Sequence, residues 1–190
     1  MDKLKIFETE LGYIKDSKIR EFTEKVLLEI APDYFWKIPP SSTSKYHPAQ
    51  THVDGGLIIH ARMAVRMATE MFDFMKESYS DDMKDCIISA LILHDMEKNG
   101  TNPANKYTVA DHPKVAVNEI KKRKDICDIL DENLLTIILD GIMCHMTKWN
   151  KDYRSKKEVL PLPNKKYQTY IGMCDYIVSR KCIAIDFNVN

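Results

Sequence analysis

Apolar residues recur every three or four positions along most of the chain, whereas the alternating runs typical of strands are scarce. This pattern predicts an all-α protein. It places six helices, at Ser17–Glu29, Gly55–Lys76, Asp81–His94, Pro113–Lys122, Glu132–His145 and Lys165–Ile183. Asp16, Ser80 and Asp131 stand just before three of these helices and are the predicted N-caps, because their side-chain oxygens can accept a first-turn N–H.

Two long segments without helical periodicity interrupt this pattern, Ile38–Gly56 and Lys148–Asn164. Irregular segments of that length inside a domain are usually functional or mobile. The basic run Lys121–Lys124 falls at a predicted helix C-terminus, where cations interact favourably with the helix dipole. We therefore interpret it as a solvated helix end rather than a nucleic-acid contact.

Composition narrows the class of protein. The 190 residues suffice for one domain with a buried core, and 28 basic residues balance 28 acidic ones. A neutral chain lacks the excess positive charge that binds long duplex nucleic acid. No segment approaches the roughly 20 apolar residues that cross a bilayer, and the N-terminus does not resemble a signal peptide. We expect a cytoplasmic protein with no membrane partner.

Cysteine usage agrees with a reducing compartment. The five cysteines are odd in number and form no C-x-x-C pair. We predict that they are reduced thiols packed as small hydrophobic residues.

The most informative residues are polar ones that interrupt the apolar faces of the predicted helices. His60 falls on the apolar face of the second helix, and His94 ends that of the third, with Asp95 next in the chain. His145 ends the apolar face of the fifth helix, and Asp175 shares that of the last. Each of these alone is more often a satisfied core histidine or a capping aspartate than a ligand.

Several buried imidazoles and two carboxylates together cost several kcal/mol unless they are paired or bind a cation. His112, just before Pro113, adds a sixth candidate, although taken alone it is more often an N-cap than a ligand. Imidazole and carboxylate without thiolate favour Mn²⁺, Fe²⁺, Co²⁺, Ni²⁺ or Zn²⁺. Six ligands exceed what one open tetrahedral ion needs, but they suit two divalent metal ions that share a carboxylate.

The order of these residues resembles a known family. It runs through the segments GGLIIHARMAV, ALILHDMEKNG, YTVADHPKVAV, IMCHMTKWN and MCDYIVSRK, from roughly Tyr46 to Arg180. This succession resembles the HD-domain superfamily of metal-dependent phosphohydrolases, in its two-metal branch. Within it, the segments YHPAQTHVDGGLIIH and VLPLPN are most similar to the HD domain of bacterial 3′-to-5′ exoribonucleases.

The resemblance implies a compact helical bundle with a metal site between its central helices, as a single HD-type domain over residues 1–190. The HD core would span 46–184, after an N-terminal helical extension over 1–45. One departure is Met96-Glu97, where the family usually has a hydrophobic residue followed by glycine. Glu97 either alters the turn at this point or adds a carboxylate near the metals.

The resemblance also assigns roles. It implies one ion held by His60, His94, Asp95 and Asp175, and a second held by Asp95, His112 and His145. Asp95 and Lys98 are the predicted catalytic residues. Lys98, which follows the His-Asp pair, is also the first candidate to bind phosphate, although it can equally be a solvated lysine in a loop. Further candidates for substrate contact are His47, Lys148 and Arg180, each of which can instead be an ordinary surface residue. Trp149 is predicted either to stack on a base or to anchor its loop.

The expected function is hydrolysis of a phosphoester bond in a nucleotide or short oligonucleotide by a metal-activated hydroxide. A phosphodiesterase of a signalling cyclic or dinucleotide is one alternative. A non-catalytic nucleotide sensor that keeps the pocket is another, and a helical interaction protein with capped core histidines is a third. The sequence leaves the oligomeric state open.

Overall fold

Helices make up the structure that the sequence pattern predicts. The computed structural model describes residues 2–42, 45–74, 79–102 and 104–181. The helices in these ranges are α1 Lys3–Ile6, α2 Glu8–Gly12, α3 Ser17–Glu29, α4 Gly56–Phe74, α5 Asp81–Leu93, α6 His112–Lys122, α7 Lys124–Cys127, α8 Glu132–Cys144 and α9 Lys166–Val178. Two 3-10 helices, Asp33–Trp36 and Ala49–Thr51, and an isolated antiparallel bridge between Lys151 and Glu158 complete the described part. The all-α prediction is confirmed.

The three predicted N-caps are confirmed as well. The Asp16 carboxylate accepts two first-turn N–H groups of α3, Ser80 caps α5, and Asp131 accepts two in α8. The three helices that the pattern missed, α1, α2 and α7, have four or five residues each. An element that short does not complete two turns, so it shows no periodicity.

Several helix ends differ from the prediction by one residue: α5 and α8 end one residue earlier, α6 begins one residue earlier and α9 one residue later. Two further differences have a visible cause. Gly55 has a φ of +75°, which an α-helix does not admit, so α4 begins one residue later. The chain already leaves α9 at Ser179, whose hydroxyl donates to the Tyr176 carbonyl at 2.7 Å and diverts that acceptor from the helix. The predicted ends of these two helices, Lys76 and Ile183, lie outside the described residues.

Other sequence features also fall where they were expected. The basic run stands at the end of α6, where Arg123 pairs with Glu29 and Asp125. The four described cysteines are free and buried, and Cys182 lies outside the described residues. Among the described helices, none combines the length and the apolarity needed to cross a bilayer.

Helix α5 forms the centre of the fold. Every residue from Asp85 to Leu93 is buried, and α3, α4, α8 and α9 all pack against this helix. A helix that is apolar on all sides requires such a surrounding. The N-terminal segment belongs to the same apolar cluster, in which Phe7 stacks on Phe35.

A close approach of three helices occurs at Gly141 in α8. A Cβ at this position would lie 2.5 Å from Cδ1 of Ile171 in α9 and 3.1 Å from Cβ of Ala90 in α5. The absence of a side chain therefore lets α8 lie against both neighbours. This contact sets the spacing between the ends of α5 and α8, from which His94 and His145 project.

A buried carboxylate holds α5 to the segment before α3. Asp85 Oδ2 accepts the N–H groups of Lys15 at 2.8 Å and Asp16 at 2.7 Å. Asp85→Ala leaves both donors without this acceptor, so we expect the free energy of unfolding in urea to fall by about 2–4 kcal/mol. Asp85→Asn keeps an acceptor oxygen, and we expect a smaller loss.

The stabilities of the native protein and of Asp85→Asn should also depend differently on pH. Burial raises the pKa of Asp85 above its usual value of 3.8, although the two backbone hydrogen bonds oppose the shift. The folded state then binds this proton more tightly than the unfolded state. Its contribution to stability is complete below that usual pKa and is lost as the pH rises through the raised value. We expect the stability of the native protein relative to Asp85→Asn to decline over that range, and a pH-independent difference would contradict this.

Candidate metal centre

The six predicted ligand residues come together at the ends of the central helices. His94 and His145 directly follow α5 and α8, His112 begins α6, and His60 and Asp175 lie within α4 and α9. The four histidines and Asp95 are at most 1% exposed. Three overlapping groups can hold a metal ion: His60 with His94 and Asp95, His94 with His145 and Asp175, and Asp95 with His112 and His145.

Asp95 lies between two pairs of imidazoles. Its Oδ1 is 2.9 Å from Nε2 of His112 and 3.4 Å from Nε2 of His145. Its Oδ2 is 3.5 Å from Nε2 of His94 and 3.8 Å from Nε2 of His60. Each carboxylate oxygen therefore faces a different pair of ring nitrogens.

Asp175 belongs to the side of the centre formed by His60 and His94. Its Oδ1 is 2.9 Å from Nε2 of His60 and 3.7 Å from Nε2 of His94. The Asp175 side chain is 18% exposed. Asp175 is therefore the most exposed of the six candidate ligands.

Backbone carbonyls fix the tautomers of three histidines. Nδ1 of His94, His112 and His145 lies 2.7, 2.9 and 2.8 Å from the carbonyl oxygen three residues earlier in the chain. Because a carbonyl only accepts, each Nδ1 carries the proton of a neutral ring, and the Nε2 lone pair faces the centre. Histidines that bind metals are oriented in this way.

One contact indicates that the centre is built for a cation. Burial lowers the pKa of His112 to about 4, so its ring is neutral at pH 7 and its Nε2 has no proton to donate. Asp95 Oδ1, 2.9 Å away, is buried and makes no hydrogen bond. Two lone pairs at this distance repel each other unless a cation lies between them. The residues present therefore fit a bound metal ion.

The charges of the centre also fit a bound cation. Burial by itself would lower the pKa of His94, but Asp95 and Asp175 raise it to about 10, so its Nε2 binds a proton in the position that a metal ion would take. Burial opposes ionisation of both carboxyls as well, yet Lys98 beside Asp95 and the His60 and His94 rings beside Asp175 hold their pKa values well below the usual range. Both carboxylates are therefore ionised, and they offer two buried negative charges to a divalent cation.

Lys98 stands where the centre meets a pocket. Its ammonium is 2.6 Å from Asp95 Oδ2, and the Lys98 side chain is 12% exposed. The pocket has a volume of about 230 Å³ and its walls include Lys98, His145 and Asp175. A group bound there would lie against both the lysine and the candidate ligands.

The outer wall of the pocket combines rings with one guanidinium. Trp149 stacks on Tyr176, with ring centroids 5.2 Å apart, and remains 45% exposed. The Arg180 guanidinium lies 4.5 Å from the Tyr176 ring and 5.3 Å from the Tyr46 ring, and it donates to the Ser179 hydroxyl. Within the described part of the chain no carboxylate pairs with Arg180. The two rings therefore hold the guanidinium in place, and its positive charge is left free to bind an anion.

The remaining candidates for substrate contact separate into two groups. His47 lines the pocket with its ring against that of His60, 5.3 Å between centroids. Its buried Nδ1 has no hydrogen-bond partner among the described residues, and burial, then His60 and Lys98, lower the pKa of His47 to about 3. Lys148 does not line the pocket, because its ammonium lies over the Trp149 ring at 4.5 Å.

Glu97 is not a member of the groups that can hold a metal. Its carboxylate accepts a hydrogen bond from the Tyr34 hydroxyl at 3.0 Å, and Glu97 is 3% exposed. Its carbonyl accepts the Gly100 N–H at 2.8 Å, so the tight turn forms without a glycine at position 97. Among the described residues neither alternative holds, because the turn forms and Glu97 is not one of the candidate ligands. The partner Tyr34 lies in the N-terminal extension and carried no signal in the sequence.

Comparisons with known proteins add no relative. None of the models of known protein families matches the chain, and no curated protein or solved structure is detectably similar to it. The helical fold and the buried cluster of His60, His94 and Asp95 are compatible with a metal site like that of the HD superfamily.

Proposed function

We propose that the chain is a metal-dependent phosphohydrolase of the HD type, acting on a phosphoester bond of a nucleotide or short oligonucleotide. The observation that carries the proposal is Asp95, whose two oxygens face separate pairs of imidazole nitrogens. This geometry supports two divalent ions, one held by His60, His94, Asp95 and Asp175, and the other by Asp95, His112 and His145. Nitrogen and oxygen ligands without sulfur favour Mn, Fe, Co, Ni or Zn.

The residues around the centre would have separate roles in binding the metal ions and the substrate. Bound divalent ions supply a water of lowered pKa and neutralise charge on phosphoryl oxygens. Asp95 links the two groups of ligands, because each of its oxygens faces one group. Lys98 holds the Asp95 carboxylate by the 2.6 Å contact and also lines the pocket. Lys98 and Arg180 then offer N–H donors to the phosphate oxygens. His47 is neutral, and its Nδ1 has no hydrogen-bond partner among the described residues, so it offers one further polar contact to the substrate.

The choice of substrate rests on the pocket. Its aromatic wall offers a face for a flat base, and its cations lie close enough to the candidate ligands to bind the attached phosphate. A volume of about 230 Å³ suits a small group rather than a duplex.

The centre can be tested with one pair of histidine variants. We expect His145→Ala to lose one equivalent of metal by elemental analysis, because its Nε2 is part of the group with Asp95 and His112. Hydrolysis of bis(4-nitrophenyl) phosphate with Mn²⁺, Co²⁺ or Ni²⁺ should fall by more than the roughly 10–100-fold that residues supporting a ligand contribute. The matched control is His52→Ala, since His52 is exposed and lies outside the centre.

A panel of linear and cyclic mono-, di- and trinucleotides then decides among the candidate functions. Full metal content and full turnover in His145→Ala would show that the site is misassigned. Tight nucleotide binding by the native protein with no turnover of any member of the panel would favour the sensor. Turnover of cyclic or dinucleotide members alone would favour the signalling phosphodiesterase.

A further inference from the structure

A short hairpin projects from the rim of the pocket, next to Trp149. We call residues 150–160 the rim hairpin; an antiparallel bridge joins Lys151 and Glu158 within it. Buried Asn150 closes its base, because the side chain donates to the Leu160 carbonyl at 3.1 Å and the Asn150 carbonyl accepts the Val159 N–H at 2.9 Å. The rim hairpin is therefore a built element rather than a loose connection.

The tip of the rim hairpin carries positive charge that its own acids do not neutralise. Lys151 pairs with Glu158, and the Asp152 carboxylate accepts the Ser155 N–H at 2.7 Å. The remaining cations of the tip, which are exposed and form no ion pair with a described carboxylate, are Arg154, Lys156 and Lys157. The chain as a whole is neutral, so this charge is a local excess within the rim hairpin.

Exposed aromatic rings lie both in the rim hairpin and in the adjoining wall of the pocket. The rings are Tyr153, Trp149, Tyr176 and Tyr46, which are 83%, 45%, 38% and 52% exposed. Each has a cation over it: Lys156 at 4.3 Å, Lys148 at 4.5 Å, Arg180 at 4.5 Å and Lys45 at 5.1 Å, in the same order. Rings that stack on bases, interleaved with cations that meet phosphates, form the surface that binds single-stranded nucleic acid.

Other polyanions fit this surface less well. In a duplex the base faces are hidden, so rings such as that of Tyr153 would have nothing to stack on. An acidic protein would use the cations but would leave the rings in water.

We propose that the rim hairpin binds single-stranded nucleic acid and presents the end of the strand to the pocket. The proposal rests on the phosphohydrolase function for what happens in the pocket, but strand binding is measurable without turnover. It makes an oligonucleotide, rather than a free mononucleotide, the preferred substrate.

The test uses the metal-loaded protein and a fluorescein-labelled phosphorothioate dT12, whose integrity is followed by electrophoresis. We expect Arg154→Ala/Lys156→Ala/Lys157→Ala to weaken binding by about tenfold or more in fluorescence anisotropy at low salt. Loss of three phosphate contacts should also reduce the slope of log K against log salt by about 2. Hydrolysis of bis(4-nitrophenyl) phosphate should be unchanged.

The matched control removes three exposed cations elsewhere, at the end of α6 and the start of α7. This variant, Lys121→Ala/Lys122→Ala/Lys124→Ala, should leave strand binding within about twofold.

A second variant isolates stacking from charge. Tyr153→Ala should weaken dT12 binding by about tenfold, whereas Tyr153→Phe keeps the ring and should retain it. Unchanged binding in the hairpin variant, or an equal loss in the control, overturns the proposal. So does displacement of dT12 by polyglutamate or by a duplex as readily as by unlabelled strand, which would assign the surface to an acidic protein or to polyanions in general.

The two proposals fail in distinguishable ways. If the native protein hydrolyses no phosphoester but binds dT12 through the rim hairpin, only the phosphohydrolase function fails. If it hydrolyses the small phosphodiester but binds dT12 independently of the rim hairpin, only the strand-binding surface fails.

Discussion

Asp95→Asn is expected to lose metal on both sides of the centre while keeping the fold. One oxygen of the carboxylate faces His112 and His145, and the other faces His60 and His94. The amide replaces one of those oxygens by a group that does not bind metal, and it removes the negative charge from both sides. We expect less than one equivalent of metal and a fall in turnover well beyond the roughly 10–100-fold typical of residues that support a ligand. An amide N–H can donate to His112 Nε2, so circular dichroism should remain native.

The matched control for Asp95→Asn is Asp85→Asn. Both carboxylates are buried, but that of Asp85 accepts backbone N–H groups and lies outside the groups that can hold a metal. Asp85→Asn should therefore keep its metal and its turnover at temperatures where it is folded. Two equivalents of metal and full turnover in Asp95→Asn would exclude the bridging role.

Gly172→Ala is the second change with a large expected effect, because it acts where α9 meets the turn after α8. A Cβ at position 172 would lie 2.7 Å from the His145 carbonyl oxygen and would also meet the Thr147 side chain. Thr147 has a φ of +48°, an uncommon conformation for a β-branched residue, so this turn has little freedom to yield. The added methyl must push α9 away from α8. Asp175, one turn later in α9, then moves relative to His145.

We expect Gly172→Ala to lower the free energy of unfolding by about 1–3 kcal/mol, as overpacking does. A displacement of about 1 Å at the centre can cost on the order of a hundredfold in turnover. Thermal unfolding with and without Mn²⁺ should show a reduced stabilisation by the metal. The matched control is Gly12→Ala in α2, where nothing lies within 4 Å of an added Cβ and the expected change is within about 0.5 kcal/mol. A Gly172→Ala protein as stable and active as the native one would show that α9 can shift without disturbing the centre.

The amino-acid sequence by itself determined the elements and which polar residues turn inward. Helical periodicity is a local property, so the six longer helices and the inward positions of residues such as His60 and Asp175 follow from the spacing of apolar residues. N-caps are equally local, which is why Asp16, Ser80 and Asp131 could be predicted. Helices of four or five residues leave no such pattern, and they were missed.

Only the tertiary structure decided how those residues meet. The distances among His94, His145 and Asp175 depend on how α5, α8 and α9 cross, and those crossings are set by contacts such as the one at Gly141. The contact of Glu97 with Tyr34 likewise joins residues that are 63 positions apart in the chain. Sequence patterns report which face of an element is buried, because burial follows the helical repeat. They do not report which atoms face each other across two elements, because that depends on side-chain volumes far apart in the chain.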